Sequence, residues 1–478
     1  MSIPESGVKF NDLEYEIKKQ CDALGCELLK NALEAYDAEL ARSRDRAVYR
    51  HKGSRKSVIK TLMGEVEYER AVYEFYDDSG ARGYVYLLDE AIGKSGSGFM
   101  SGLLSEKIVQ ASCESSYREA AREVSELTGQ SVSHTAAWRV VQELGERIDA
   151  QEQGAAALAA DNQGKGKLET KVLFEEQDGI WLKLQGKSRK KYGASHEMKL
   201  AIAYDGTKKV GKKRYELTNK VACANFEYAG KFIKRKEGVI AGTYNTDEIE
   251  IRLLNGDGAA WIKQSITDET VHFQLDPFHR NKAIRTWVKD PEKRQGIYDV
   301  LYSKDIDLLL VYIEALSNSV DDSEEGQEER ENLLSLLTYF TNNKDGLVPC
   351  HRRGLDLPEP PEGKKYRRMG TMESNVFTIL GNRMKGRRAC WSVDGGNNLA
   401  RLLCLKATKK LHETLQSLTT AYLPERYAEE LFTGFTSSKV AKSVGKGYNS
   451  FQKAAAFPPT PDFKWMRSIT GMQSFCEM

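Results

Sequence analysis

The sequence predicts an α/β protein with a mixed β-sheet, and two observations in the middle of the chain lead to this prediction. First, three strand-like segments form a meander at residues 168–184, 197–204 and 214–222, the first of them interrupted near Asp178-Gly179. Second, two strand–helix units follow a helical stretch at 226–236, with strands at 249–254 and 271–275 and helices from 259 and at 279–288. Three meandering strands followed by two strand–helix units is the strand order of a ribonuclease-H-like fold, although other mixed α/β domains share this order.

The N-terminal part predicts helix and then a small β element. Apolar residues at three- and four-residue steps indicate a helix or a helical pair at 11–40, with Gly25 as a weak point. Strands are expected at 57–63 and 65–73 around Gly64, with a third candidate at 84–88. Basic side chains precede and enter this element.

Residues 116–149 have the pattern of two helices joined by a short turn. Gly129 ends the first helix and Ser133 is a candidate N-cap for the second. The apolar positions of the two helices are Tyr117, Ala120, Ala121, Val124 and Leu127, then Ala137, Val140, Val141, Leu144 and Ile148. This pattern matches a helix-turn-helix, in which base-reading side chains lie on the open side of the second helix, here His134, Thr135, Arg139 and Gln142. An ordinary packed helical hairpin is the alternative.

The remaining segments complete the expected organisation. Residues 151–167 are rich in Ala, Gly and Gln and indicate a linker, 290–343 are helical and highly charged, and a late helix is expected at 371–385. The predicted domains are an N-terminal helical region (1–50), a small basic β element (51–100), a helix-turn-helix region (101–150), the linker (151–167), the first part of the α/β core (168–289), a helical insertion (290–365), the core helix that carries Glu373 (366–410) and a C-terminal helical tail (411–478).

The chain as a whole is close to neutral and is not a globally basic protein. There are 71 Lys and Arg residues against 69 Asp and Glu residues, a formal net charge of +2. Local clusters nevertheless provide candidates for phosphate contacts, with a solvated surface as the alternative. They are Arg50, Lys52, Arg55 and Lys56 in one cluster, and Arg383, Lys385, Arg387 and Arg388 in another.

Cysteine usage and hydropathy bear on the compartment. The eight cysteines form no CxxC pair, and no run of about eighteen apolar residues exists. We therefore expect a cytoplasmic protein that does not span a membrane.

Four acids follow or lie in the predicted strands and the late helix. Asp257 is flanked by glycines directly after the fourth strand, Asp276 follows the fifth, Asp178 lies in the first and Glu373 lies in the first turn of the late helix. Oxygen ligands at such positions suit Mg²⁺, and phosphodiester chemistry can use two ions about 3.5–4 Å apart. The structural alternatives are a hairpin turn at Asp178-Gly179, an N-cap at Asp257, a favourable helix-dipole charge at Glu373 and a capping pair of Asp276 with His279.

Four motifs carry a resemblance to a known family. They are Tyr117-Arg118-Glu119-Ala120-Ala121, the run 253–262, the segment Gln274-Leu275-Asp276-Pro277-Phe278-His279, and Met372-Glu373-Ser374 with the basic run that begins at Arg383. With these motifs the chain resembles bacterial insertion-sequence transposases of the ISLre type, relatives of the Mutator-like DDE enzymes.

The resemblance implies a set of roles for individual residues. Asp178 and Asp257 would be the metal-binding aspartates and Glu373 the catalytic glutamate, with Glu175 or Glu176 as alternatives in the register of the first strand. Asp276 and His279 match the motif "C or D, two residues, H" that follows the second aspartate, and the helical insertion is also typical of such enzymes. Implied cofactors are two Mg²⁺ ions, with Mn²⁺ as an alternative.

The resemblance also implies the partners and the reaction. The partners would be double-stranded DNA, both the inverted repeats of the element and the target, and a second copy of the chain in a homodimer or higher assembly. The reaction is DNA cleavage followed by strand transfer. Two alternatives stay open: a domesticated or inactive transposase that acts as a DNA-binding regulator, and a nuclease that cuts without joining. Trp261 and Trp391 are candidates for stacking on an unpaired base, with core packing as the alternative.

Overall fold

Five strands form one mixed sheet in residues 135–415, and a separate three-stranded sheet lies near the N-terminus. The computed structural model describes residues 9–94, 99–386 and 388–418. These residues belong to two units. The first has described residues 9–94, 99–111, 118–134 and 416–418, and the second has 112–117 and 135–415 with residue 387 left out.

The N-terminal elements carry long helices and short strands. In chain order they are α1 (Phe10–Ser43), β1 (Arg50–Lys60), β2 (Glu65–Tyr76), β3 (Arg82–Val85), α2 (Leu87–Ala91), α3 (Gly102–Glu114), α4 (Tyr117–Thr128) and α5 (His134–Ala160). The second unit continues with β4 (Val172–Lys183), α6 (Gly186–Tyr192), β5 (Ser195–Tyr204), β6 (Thr207–Lys209), β7 (Tyr215–Leu217), β8 (Val221–Asn225) and α7 (Ala229–Ala241).

The rest of the second unit alternates strand and helix and then becomes helical. Its elements are β9 (Ile251–Gly256), α8 (Ala260–Lys263), β10 (Val271–Leu275), α9 (Pro277–Trp287), α10 (Pro291–Ser303), α11 (Ile306–Asn318), α12 (Glu324–Asn342), α13 (Met372–Asn375), a π-helical turn (Val376–Gly381), α14 (Asn382–Met384), α15 (Val393–Ala407) and α16 (Leu411–Leu418). The helices α10 to α12 occupy the predicted helical insertion. Within the described ranges, none of the helices has both the length and the apolar character that crossing a bilayer requires.

The first unit packs α1 on an antiparallel sheet of order β1-β2-β3. Its core joins Leu33 of α1 to Ile59, Val66 and Tyr68 of the sheet. The region predicted as a helix or a helical pair is one helix, and Gly25 lies where a Cβ atom would meet the Met63 side chain. The missing side chain thus gives room for packing and does not break the helix.

Two boundaries in the first unit differ from the prediction. Strand β1 begins at Arg50, so most of the basic stretch is itself a strand whose polar side chains face outward. The third strand ends at Val85 and residues 87–91 are helical, so the strand predicted at 84–88 is misplaced. The segment 84–88 is apolar, but it is too short for its periodicity to distinguish a strand from a helix.

The larger sheet has the strand order β10-β9-β4-β5-β8. Strand β4 runs antiparallel to β5, which runs antiparallel to β8, whereas β4, β9 and β10 are parallel. Helices α9 to α12 pack with β9 and β10 in one core, in which Leu254, Leu275, Ile284 and Phe340 are fully buried. The acids at the ends of the parallel strands are therefore held on a buried scaffold.

Three further expectations for this unit were wrong. Strand β4 is continuous through Asp178 and Gly179, which pair with Leu200 and Lys199, so no hairpin turn forms there. The single strand expected at 214–222 is two strands, β7 and β8, separated by Asn219 at φ 50°. Residues 151–160 of the expected linker continue α5, because alanine favours helix more than any other residue.

Candidate active site

Three acids come together because the strands that carry them are neighbours. Gly256 of β9 pairs with Gln177 of β4 on one side and with Leu275 of β10 on the other. Asp178, Asp257 and Asp276 each follow directly after one of these three paired positions. The Asp276 N–H also donates to the Gly256 carbonyl at 2.8 Å. One edge of the sheet therefore presents all three carboxylates.

Glu373 reaches this edge from a helix much later in the chain. It lies in the first turn of α13 and is exposed. One oxygen of Glu373 lies within 4.8 Å of ligand atoms of both Asp178 and His279, which form a group able to hold a metal ion. Asp178 is buried, with 8% of its surface exposed, and His279 is half-buried. The structure thus brings together Asp178, His279 and Glu373, whereas the predicted metal ligands were Asp178, Asp257 and Glu373.

Asp257 lies beside this group and has a structural contact as well. Its Oδ1 accepts a hydrogen bond from the Ala259 N–H at 2.8 Å, but Ala259 and not Asp257 is the N-cap of α8, so the N-cap alternative is wrong and the contact fixes the turn before the helix. Gly258 follows at φ +86°, a conformation that glycine adopts without steric cost. The charge of Asp257 still acts on Asp178, whose pKa it raises. The contact with Ala259 and membership of the site are therefore compatible at Asp257.

The Asp178 carboxyl group is unusually hard to ionise. Burial, opposed in part by His279 and assisted by the charges of Asp257 and Glu373, raises its pKa to about 6. Among the described residues, no lysine or arginine forms an ion pair with Asp178, Asp257 or Glu373. His279 is thus the basic side chain of the cluster, and the acids outnumber it, which is the environment that a divalent cation would stabilise.

His279 and Asp276 form a pair at the start of α9. The Asp276 side chain accepts the Phe278 N–H at 3.1 Å, and Pro277 occupies the first turn, so the capping alternative holds for Asp276. His279 Nδ1 lies 3.5 Å from Asp276 Oδ2, an ion-pair distance longer than a good hydrogen bond. Burial by itself lowers the pKa of His279, but Asp276, Asp178 and Asp257 outweigh it and the pKa is raised.

The two glutamates beside Asp178 are engaged elsewhere. Glu175 is buried and pairs with Lys236 at 2.7 Å and with Arg252 at 2.5 Å. Glu176, also buried, accepts hydrogen bonds from Tyr204 Oη at 2.8 Å and Asn255 Nδ2 at 3.1 Å. Neither glutamate is available to the group of Asp178, His279 and Glu373. Asp178 is therefore the strand acid of the site.

Glu176 has a second role that sequence reasoning missed. It accepts the backbone N–H groups of Gly370, Thr371 and Met372 at 2.8–3.1 Å, and the Thr371 hydroxyl at 2.7 Å. These donors form the N-terminal end of α13, which carries Glu373. A buried carboxylate two residues before Asp178 thus fixes the helix that presents Glu373. Glu176 lies two residues before Asp178 in β4, so their side chains share one face of the strand. This spacing is the sequence signal that could have identified Glu176 as part of the site.

The residues predicted to read DNA bases are not all exposed. His134, Thr135 and Arg139 are exposed at the start of α5, but Gln142 is buried and accepts a hydrogen bond from Asn398 Nδ2 at 2.9 Å. The prediction for Gln142 is wrong because α15 covers this side of α5. Leu127, assigned to an apolar face, is 67% exposed.

The basic residues of β1 are exposed but partly neutralised. Arg50, Lys52, Arg55 and Lys56 all face solvent. Acids of the neighbouring strand pair with two of them, Lys52 with Glu74 at 3.4 Å and Lys56 with Glu67 at 2.7 Å. Arg50 and Arg55 therefore keep the less compensated charges of this strand.

In the later basic cluster, Arg383 differs from its neighbours. It is half-buried, donates to the Ser112 carbonyl at 2.7 Å and lies over the rings of Tyr117 and Trp391. These contacts give Arg383 a packing role. Lys385 and Arg388 are exposed, and Arg387 lies outside the described residues.

The two tryptophans considered for base stacking are core residues. Trp261 is 8% exposed and contacts Phe232 edge-on, and Trp391 is 7% exposed and donates its indole N–H to the Met384 carbonyl. The packing alternative is therefore correct for both.

Comparison with known proteins places the chain in a family. The model of an uncharacterised protein family, UPF0236, matches residues 3–414. A UPF0236 protein of Caldanaerobacter subterraneus subsp. tengcongensis, whose name joins eleven gene loci, is 24% identical over 358 residues, covering 72% of this chain and 68% of that protein. The UPF0236 protein in the vanSb 3′ region of Streptococcus gallolyticus is 22% identical over 421 residues, covering 84% of each chain. Since the family model spans most of the sequence, the chain belongs to the uncharacterised protein family UPF0236.

Proposed function

We propose that this protein is a DDE transposase of a bacterial insertion sequence, which binds the element's inverted repeats and catalyses metal-dependent DNA cleavage and strand transfer. The observation that carries the proposal is the convergence of Asp178, His279 and Glu373, from three distant parts of the chain, within 4.8 Å of one another. Asp257 and Asp276 lie at the same sheet edge. Transfer at phosphodiesters needs this type of acidic site.

The sheet supports a ribonuclease-H-like assignment for the larger unit. An antiparallel meander (β4, β5, β8) is extended at β4 by two parallel strands (β9, β10), as the sequence pattern predicted for that fold. Asp178 lies in β4, Asp257 directly follows β9, and Glu373 lies in α13. The helices α10 to α12 lie between the last two of these residues in sequence.

The residues present fit a divalent cation. Asp178 and Glu373, which lie in one group with His279, would hold it together with Asp257 from the neighbouring strand end, because all three are oxygen donors without an ion-paired lysine or arginine among the described residues. When bound, Mg²⁺ or Mn²⁺ supplies activation of the attacking oxygen and neutralisation of charge on the leaving oxygen.

The protein's own groups orient the substrate. Asp276 raises the pKa of His279 and lies 3.5 Å from its Nδ1, and the other ring nitrogen would donate to an oxygen of the scissile phosphate. Glu176 keeps Glu373 in place through the end of α13.

The family relatives add support of a different kind. One relative from a single strain bears a name that joins eleven gene loci, and a second from the same strain joins four, at 24% identity over 411 residues that cover 83% of this chain and 77% of that protein. Several loci for one protein in one genome are expected of a mobile element, because each insertion leaves a copy.

DNA contacts complete the proposal. His134, Thr135 and Arg139 at the exposed start of α5 would read the terminal repeats, and Arg50 and Arg55 of β1 would contact backbone phosphates. Because two element ends must be joined to one target, a homodimer or a higher assembly is the proposed working form.

A strand-transfer assay tests the proposal. Labelled duplexes that carry the element ends are incubated with a supercoiled plasmid, Mg²⁺ and either wild-type protein, Asp257→Asn or the control Glu269→Gln, an exposed acid outside the site. We expect joined products with wild type and the control, and none with Asp257→Asn, which should still bind the duplex. Cleaved ends without joining would indicate a nuclease instead. Activities unchanged by Asp257→Asn would favour a DNA-binding regulator.

A further inference from the structure

A cavity of about 500 Å³ lies beside the acid cluster, within the second unit. Its size falls in the range of ligand-binding pockets. The residues that line it include Arg280, His351, Arg352 and Arg368, which are basic, and none of the lining residues is an acid. The cavity is therefore built for an anion.

The cations of this cavity are not neutralised by the protein. Arg280 is only 5% exposed and donates to the Leu347 carbonyl at 3.0 Å and to Asn281 Oδ1 at 3.2 Å. Arg352 donates to the Tyr302 carbonyl at 2.8 Å. Across the described part of the chain, no carboxylate forms an ion pair with Arg280, Arg352 or Arg368. A buried guanidinium that binds only neutral oxygens still lacks a counter-charge.

The charges also act on one another. Burial and the neighbouring guanidinium groups of Arg368 and Arg352 lower the pKa of His351. These arginines are therefore close enough to reinforce each other's field. A phosphate is the anion that arginine binds best, since the planar fork matches its oxygens.

The cavity and the acid cluster share two segments of chain. One is the start of α9, where Asp276 and His279 belong to the cluster while Pro277 and Arg280 line the cavity. The other is the approach to α13, where Arg368 and Met369 line the cavity just before the residues that bind Glu176. A Cβ atom on Gly370 would lie 3.8 Å from Asp276 Oδ1, so the two segments are in contact.

The cavity also has an apolar wall. This wall consists of Leu301, Val348, Pro349 and the ring of Tyr302, over which the Arg352 guanidinium lies 5.6 Å from the ring centroid. An inorganic anion would leave this surface unused, whereas a nucleoside attached to the phosphate would cover it. The pairing of basic and apolar walls therefore favours a nucleotide unit of a strand.

We propose that this cavity binds a phosphate of the DNA strand, with its nucleoside, next to the phosphate that reacts at the acid cluster. The identity of the ligand as a DNA strand rests on the proposed transposase function. The arginines take the phosphate, and the apolar wall takes the sugar and base. Holding the neighbouring nucleotide fixes the register of the strand over Asp178 and Glu373.

Binding without catalysis tests this proposal. Fluorescence anisotropy is measured with full-length protein, a labelled single-stranded oligonucleotide and EDTA, at several salt concentrations. The variants are Arg368→Gln, which is exposed, Arg352→Gln and the pair together; the control is Arg285→Gln, an exposed arginine of α9 that does not line the cavity.

The double variant should bind about tenfold more weakly, with the slope of log K against log salt reduced by about 0.7, because the cavity holds one phosphate and each phosphate contact on a single strand contributes about 0.7. A loss of affinity no greater than that of Arg285→Gln would overturn the proposal.

Calorimetric titration with inorganic phosphate distinguishes a site for free phosphate from a site for a phosphate of a DNA strand. If the variants lose binding of inorganic phosphate alone and keep strand binding, the assignment to a DNA strand is overturned.

The transposase assignment and the cavity proposal can fail independently of each other. If wild-type protein neither cleaves nor joins DNA with Mg²⁺, but strand binding depends on Arg352 and Arg368, then the transposase assignment fails and the cavity proposal is supported.

Discussion

At the scale of single residues, burial and partners decide which acid of β4 serves the site. Glu175, Glu176 and Asp178 are all buried, so exposure does not separate them. Glu175 is compensated by Lys236 and Arg252, and Glu176 by six hydrogen-bond donors, whereas Asp178 faces other acids and His279. A buried carboxylate with no lysine or arginine next to it destabilises the fold. Such groups are found mainly at functional sites, which favours Asp178 as the acid of the site.

Replacing Asp178 by asparagine should stabilise the protein without metal. The pKa of about 6 in the fold exceeds the ordinary 3.8, so the charged form destabilises the fold above pH 6, and the penalty vanishes as the pH falls towards 4. At pH 8 without metal, Asp178→Asn should raise the free energy of unfolding by up to about 3 kcal/mol. Denaturant unfolding in EDTA measures this change.

The same variant should lose its response to Mg²⁺. Wild-type protein should gain thermal stability with Mg²⁺ because the ion binds only the folded state, and Asp178→Asn should gain little. Glu269→Gln is the matched control and should respond like wild type. A lower stability of Asp178→Asn in EDTA, or an equal response to Mg²⁺, would contradict the assignment of Asp178 to a metal site.

Two arginines should contribute to DNA binding in different ways. Arg139→Ala should weaken binding to terminal repeats far more than binding to random duplex, because a base contact carries sequence information. Arg55→Ala should weaken both duplexes about equally, because it would contact phosphates. Gel-shift titrations of both duplexes at one salt concentration measure the ratio. Equal losses for Arg139→Ala exclude base reading at that position.

At the scale of elements, the site depends on the contact between β4 and α13. Glu176 accepts three backbone N–H groups at the start of α13, and a π-helical turn follows at Val376–Gly381. Negative charge is favourable at a helix N-terminus, and here it comes from a strand rather than from the helix itself. Such irregular helical turns are frequent at functional sites. The late helix predicted at 371–385 is present, but the residue that fixes its start is Glu176 of β4.

Glu176→Gln should separate positioning from folding. The amide would place an N–H₂ group among donors, so α13 should shift and the cleavage rate should fall about 10²-fold. The Mg²⁺ concentration for half-maximal cleavage should rise, which a general loss of stability would not cause. Thr371→Ser keeps the hydroxyl donor and should stay near wild type. An unchanged Mg²⁺ dependence in Glu176→Gln would exclude the positioning role.

At the scale of the whole second unit, a buried ion cluster joins the sheet to α7. Lys236 bonds Glu175 at 2.7 Å and Glu237 at 2.9 Å, and Arg252 of β9 bonds the same two acids. Buried charges are tolerated only when paired, so this cluster requires β4, β9 and α7 to assemble together. Its member Glu175 lies in the same strand as Asp178, so the cluster supports the scaffold of the site.

Removing one member of the cluster should destabilise the fold strongly. Lys236→Met leaves Glu175 buried with one cation fewer and should cost about 3–5 kcal/mol of unfolding free energy. Lys234→Met, an exposed lysine of the same helix, is the control and should cost much less. Urea denaturation followed by circular dichroism compares the two variants. Similar costs would mean that the cluster contributes little to stability.

Acid should weaken the same cluster. Burial by itself raises the pKa of Glu237, but Lys236 and Arg252 outweigh it and lower the pKa to about 2. The contribution of Glu237 to stability is therefore complete above its ordinary pKa of about 4.5 and is lost as the pH falls from there towards 2. Glu237→Gln should flatten the pH dependence of unfolding in this window. An unaltered pH profile in the variant would exclude this linkage.

The sequence alone determined the succession of strand–helix units that ends in β9 and β10, and the positions of Asp257 and Asp276 directly after these strands. These features follow from local patterns, namely apolar periodicity and glycine or proline at strand ends, which the chain carries without reference to distant residues. Only the tertiary structure decided that Glu175 and Glu176 are engaged by Lys236, Arg252 and the end of α13, and that Gln142 is covered by α15. Burial and hydrogen-bond partners depend on which segments meet in space, and periodicity in one segment does not encode its distant neighbours.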